Sequence, residues 1–142
     1  MSTRCQIGFY TSPDQLLARP SALIYRHSDG YPQALSGEYG VVPELLPFLV
    51  AFEKDRGISD AEYCAAQALA HLIAGDGLAP LESRRMLGYG VCGDHDLHAD
   101  IEYYYRVDPA GLHIFDAREV RSEFLNAMDF LKLRLIRTEA IR

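Results

Sequence analysis

From Thr3 to Tyr10 the chain alternates, with Cys5, Ile7 and Phe9 on one side and Arg4, Gln6 and Gly8 on the other. That period of two predicts a half-buried strand. Ser21 to His27 reads as a second strand, antiparallel to the first, because so short a connection permits a hairpin and not a parallel crossover. Between them Ser12-Pro13 suits the start of a single helical turn. From Val42 to Arg56 the spacing becomes helical, with Pro43 in the first turn and Gly57 as the stop. Ser59-Asp-Ala-Glu62 resembles a capping box, and Ala65, Ala68, Leu69, Leu72 and Ile73 continue a helix to about Ala74. A shorter helix is expected around Leu81 to Leu87. Strands return at Tyr89 to Cys92 and at His98 to Val107, and Asp108-Pro-Ala-Gly111 turns into a return strand over Leu112 to Phe115. Last comes a long helix with Val120, Phe124, Ala127, Met128, Leu131 and Leu135 as one apolar stripe.

Strands and helices grouped in this way predict an α+β domain, with an antiparallel or mixed sheet of about four or five strands in the order β-β-α-α-α-β-β-β-α and helices packed on one face. At 142 residues and 49% hydrophobic, residues 1–142 fit a single domain with its own core. The net charge of −6 argues against nucleic acid and for a neutral or basic protein partner. The acidity sits in the body of the chain, since residues 118–142 hold six Arg and Lys against four acids. Three widely spaced cysteines fit neither a disulfide framework nor a zinc knuckle. With no secretion-signal core and no apolar run of membrane-spanning length, the expected setting is the cytoplasm, away from membrane.

The densest chemistry lies in Asp94 to Glu102, where four carboxylates and two histidines fall within nine residues. As a strand, this segment would put Asp94, Asp96, His98, Asp100, Glu102, Tyr104 and Arg106 on one face. His95, Leu97, Ala99, Ile101, Tyr103, Tyr105 and Val107 would lie on the other, beneath the helices. The polar set then forms either a solvated acidic face that meets a partner or a metal site. Asp96, His98 and Asp100 offer two carboxylates and an imidazole to a divalent ion such as zinc or manganese. The second polar knot, Arg26-His27-Ser28-Asp29 with Tyr31, offers His27 as a general base oriented by Asp29. A turn hydrogen bond would explain the same spacing.

Thr3-Arg4, then Tyr25-Arg-His-Ser-Asp-Gly-Tyr-Pro32, and Asp100-Ile-Glu-Tyr-Tyr-Tyr105 resemble a group of small uncharacterised microbial proteins that carry Tyr-Arg-x-x-Asp-Gly-Tyr-Pro after an N-terminal Thr-Arg strand. The resemblance implies a shared fold and points to Arg26, Asp29, Tyr31, Asp100 and Glu102. It implies no activity. The expected function is a binding module that uses its acidic face, with Arg26, Tyr31, Glu102, Tyr104 and Arg106 as contact residues. The competing expectation is a metal-dependent hydrolase built on Asp96, His98, Asp100 and His27. Oligomeric state is not legible at this level.

Overall fold

The computed structural model describes residues 3–13, 19–75, 88–93, 97–118 and 133–142. Eight elements follow in order: β1 (Cys5–Phe9), β2 (Ala22–Arg26), α1 (Val41–Asp55), α2 (Ala61–Gly75), β3 (Tyr89–Val91), β4 (Tyr103–Asp108), β5 (Gly111–Asp116) and β6 (Arg134–Glu139). The strands form one mixed sheet in the order β3-β2-β1-β4-β5-β6. β1 and β2 pair antiparallel as a hairpin, while β1 and β4 run parallel. Parallel neighbours need a long crossover, and the chain between β2 and β4, with both helices, supplies it. This is the α+β class expected from the pattern, with six strands where four or five were predicted.

Cys5, Ile7 and Phe9 of β1 point toward the helices, together with Ile24, Tyr105, Val107, Leu112 and Ile114. They meet Val41, Leu45, Leu49 and Phe52 of α1 and Ala61, Cys64, Ala65, Ala68 and Leu72 of α2. The small residues of α2 let its backbone come close to β1 and β2. The opposite face is also covered: Tyr10, Leu23, Cys92, Leu97, Ile101, Tyr104 and Ala117 form a second buried cluster.

Three expectations need correction. The strand predicted from His98 begins only at Tyr103, and residues 97–102 form a turn that folds back across the second face. From Tyr103 onward the predicted alternation holds, since Tyr105 and Val107 face the helices. Before it, Leu97 and Ile101 cross to the other side of the sheet, where two apolar anchors gain more by covering Tyr104 than by extending a strand. In consequence the even-numbered face of β4 is not solvated: Tyr104 is 1% exposed and Arg106 5%. Finally, Leu135 lies in β6 and not in a helix, because the open edge of β5 gives Arg134-Leu-Ile-Arg-Thr-Glu139 a pairing partner, and Ile136 and Thr138 are β-branched. The apolar stripe from Val120 to Leu131, the helix at Leu81 to Leu87 and most of the turn after Ser12-Pro13 lie outside the described residues.

The Asp29-Gly30 turn also differs in its physics from what its composition suggests. Asp29 itself takes the left-handed conformation, at φ 56°. Gly30 serves close approach instead: its N–H donates to Thr3 O at 2.9 Å and its carbonyl accepts the Tyr105 hydroxyl at 2.7 Å. A Cβ there would stand 2.9 Å from Cys5 N, Cys5 Cβ and Thr3 O, positions fixed by β1. Gly30→Ala is therefore expected to destabilise the fold by about 1–3 kcal/mol, read as a lower urea midpoint with an unchanged m-value.

Candidate functional site

Arg26 ends β2 with its side chain on the helix side of the sheet, and the residue is only 3% exposed. A guanidinium this dry must be neutralised and hydrogen-bonded. Its Nη2 donates to both carboxylate oxygens of Glu44, at 3.0 and 3.2 Å, and its Nε donates to Ser28 O at 2.9 Å. Glu44 sits in the first turn of α1, where a carboxylate also suits the helix dipole, and it accepts the N–H of Gly40 at 3.0 Å. One ion pair thus fastens the end of β2, the 27–40 loop and the start of α1. Among the described residues Nη1 of Arg26 is buried and has no hydrogen-bond partner.

Arg26 lines a cleft of about 560 Å³ between the 27–40 loop and the two helices. Asp29, Tyr31, Glu38 and Tyr39 come from the loop, Pro43, Glu44 and Pro47 from α1, and His71 from α2. His71 Nε2 lies 2.9 Å from Glu44 O, which makes that nitrogen the protonated one, and its ring stacks on Phe48 at 5.1 Å. Tyr39 is 62% exposed at the rim. Three carboxylates and one guanidinium give the cleft a negative balance. A smaller polar cavity of about 240 Å³ opens on the other side of Arg26 and Asp29, between Ser28 and Gly88.

His27 points away from this cleft and is exposed. Its Nδ1 accepts from Arg4 Nε at 3.3 Å, and the same Arg4 Nε is 3.5 Å from Asp100 Oδ2. Asp100 also accepts the Tyr25 hydroxyl at 3.1 Å, and the Tyr25 ring packs 4.9 Å from that of His98. The two polar knots of the sequence are therefore neighbours, brought together by the 97–102 turn. What stands between His27 and Asp100 is a guanidinium. His98 Nε2 is 4.0 Å from Cys92 Sγ, and its backbone N–H donates to Gln6 Oε1 at 2.8 Å. Asp96 lies outside the described residues. Among the described residues no group of three or more His, Cys, Asp or Glu stands where it could hold a metal ion. Asp29 lies on the cleft side and does not join His27 in a pair that any observed bond supports.

Glu102 is half-buried beside the start of β4. Tyr104 and Arg106 belong to the interior. The hydroxyls of Tyr104 and Tyr10 share a 2.6 Å bond, and Arg106 stacks 4.1 Å above the Tyr10 ring. Arg106 Nε donates to Asp108 Oδ2 at 2.7 Å, while Nη2 donates to the carbonyls of Ser12 and Pro13 at 3.2 and 3.0 Å. His113 Nε2 is 3.0 Å from Asp108 Oδ1. These contacts pin the β4–β5 hairpin to the segment after β1, a structural use of residues that the sequence offered as contacts.

Glu38, Tyr39, Glu44 and His71 were missed by sequence reasoning. Glu44 has no distinctive local signal, since an acid in a first helical turn is ordinary. Glu38 and Tyr39 had one: Gly37 and Gly40, both in the left-handed region at φ 80° and 113°, bracket them as a tight loop. No family model, no curated protein and no solved structure matches the chain. The cleft must be read from its own chemistry.

Burial pushes the Asp108 carboxyl up, but hydrogen bonds from His113 and Arg106 outweigh it and leave the group below its usual value. A carboxyl depressed in the folded state contributes stability above its unfolded pKa of about 3.9, and that contribution is lost as pH falls through the folded value. Asp108→Asn, which removes the carboxylate that Arg106 Nε and His113 Nε2 meet, is expected to cost about 1–3 kcal/mol at pH 7. In urea melts from pH 7 to pH 2, the gap between variant and wild type should narrow only below about pH 4. A gap that stays constant over that range would refute the assignment.

Proposed function

We propose that the chain is a binding module whose cleft beside Arg26 receives a basic or neutral segment of a protein partner. The observation that carries this reading is the acidic lining of a cleft of about 560 Å³, where Asp29, Glu38 and Glu44 stand around a single guanidinium, that of Arg26. A peptide carbonyl is an acceptor that adds no negative charge to a cleft already holding Asp29, Glu38 and Glu44. The same carboxylates favour a lysine or arginine side chain entering with it, and the exposed Tyr39 ring supplies a face for its stem or charge. The prolines at 43 and 47 make that wall of α1 apolar and rigid.

The reading replaces the solvated acidic strand face by an acidic cleft, while keeping a basic or neutral partner and three of the residues singled out in the sequence, Arg26, Asp29 and Tyr31. The test uses amide NMR shifts during titration with a blocked peptide that alternates lysine and alanine. Shifts are expected to centre on residues 26–44 and around His71. Glu38→Gln, at an exposed position, should weaken binding about threefold to tenfold through loss of one charge contact at the rim. A glutamate-alanine peptide should not bind. If the lysine peptide causes no shifts, or shifts confined to another surface, the proposal fails.

A further inference from the structure

β6 closes one side of the sheet, and among the described residues nothing pairs with its outer edge. It is six residues long, where the opposite edge strand, β3, has three. Its side chains are open to solvent, including Leu135 at 53% and Ile136 at 44%. An edge of this length, with apolar residues exposed, is a template for another strand.

The sequence of the strand selects what that strand is. Arg134 pairs across the sheet with Asp116 and Glu139 with Leu112. Both partners are even-numbered positions of β5, so Arg134 and Glu139 share a face. They do so because of the register shift between Ile114 and Phe115, since without a bulge positions five apart would fall on opposite faces. When two copies of Arg134–Glu139 meet antiparallel with full overlap, Arg134 of each stands opposite Glu139 of the other. Leu135 then stands opposite Thr138, and Ile136 opposite Arg137. Slipping the pair by two residues toward the N-terminal end instead sets Arg134 against Arg137 twice. The arginines that would discourage indiscriminate pairing thus leave one fully overlapped register with opposite charges at both ends.

We propose that β6 is a self-association edge: two copies join β6 to β6 about a twofold axis, extending each six-stranded sheet into a continuous sheet of both. The contact is isologous and closes on itself. Glu139, which pairs with Arg137 inside the strand at 2.9 Å, would be shared with the second copy's Arg134. Arg134 is 66% exposed in its present contact with Asp116, which Arg118 also holds at 2.8 Å. The contact is small, and small interfaces are weak and reversible, so a dimer is expected to form at about tens of micromolar.

Sedimentation equilibrium from about 5 to 500 µM tests it. Wild type should pass from monomer to dimer. Glu139→Arg and Arg134→Glu should each weaken self-association at least tenfold, since each sets like charges opposite one another twice. An equimolar mixture of the two variants should form a heterodimer about as tight as wild type, because mixing restores both opposite-charge pairs. Circular dichroism of each variant alone verifies folding, and Leu135→Lys offers a second disruption that leaves Asp116 untouched. A wild type that stays monomeric throughout overturns the proposal. So does a dimer indifferent to all three substitutions, or folded charge variants that fail to associate when mixed.

Discussion

β1 is buried along its whole length on both faces, and that single constraint arranges the rest of the molecule. A strand at the middle of a sheet has its backbone satisfied by its neighbours, β2 and β4, but its side chains need cover on two sides. On one side Cys5, Ile7 and Phe9 require the helices, and the crossover between β2 and β4 provides them. On the other side Gln6 and Gly8 face a layer that the 97–102 turn helps to build. Gln6 bonds His98 N–H and Cys92 Sγ, while Gly8 leaves room for the Tyr104 hydroxyl. The turn cannot both cover this face and run on as a strand, and cover wins because it buries Leu97 and Ile101.

The cost of that compactness appears at Arg26. The register of β2 against β1 points the residue into the helix layer, where a charge is tolerated only with a carboxylate beside it. Glu44 answers it and so places α1 relative to the sheet, while the loop between them stays outside the core and walls a cleft. Among the described residues one donor of the guanidinium, Nη1, has no hydrogen-bond partner. At β6 the sheet order leaves an outer edge that nothing pairs with among the described residues.

The strong periodic signals were legible. The alternation of β1 and the helical spacing of α1 and α2 predicted those elements to within about two residues at each end, because in each the side chains of one face do the same job throughout. The chemistry was legible in part. Arg26, Asp29 and Tyr31 were chosen from a local knot and do stand around one cleft, yet Glu44 and His71 come from elsewhere in the chain and have no local mark. Tyr104 and Arg106 were read as surface because the alternation of a strand says which residues share a face and not whether that face is wet. His27 and Asp100 were chosen separately and meet through Arg4, a residue that neither motif contains.

By itself the sequence determined which segments alternate, which spiral, and how charge divides along the chain, since these are local consequences of side-chain size, polarity and backbone preference. Tertiary structure alone decided that both sheet faces would be covered, that residues 97–102 would turn and not extend, that Leu135 would join a strand, and that Arg26 would be buried against Glu44. Each of those outcomes depends on burial against residues far away in the chain, and the free energy of burial belongs to the assembled surface, which no local pattern encodes.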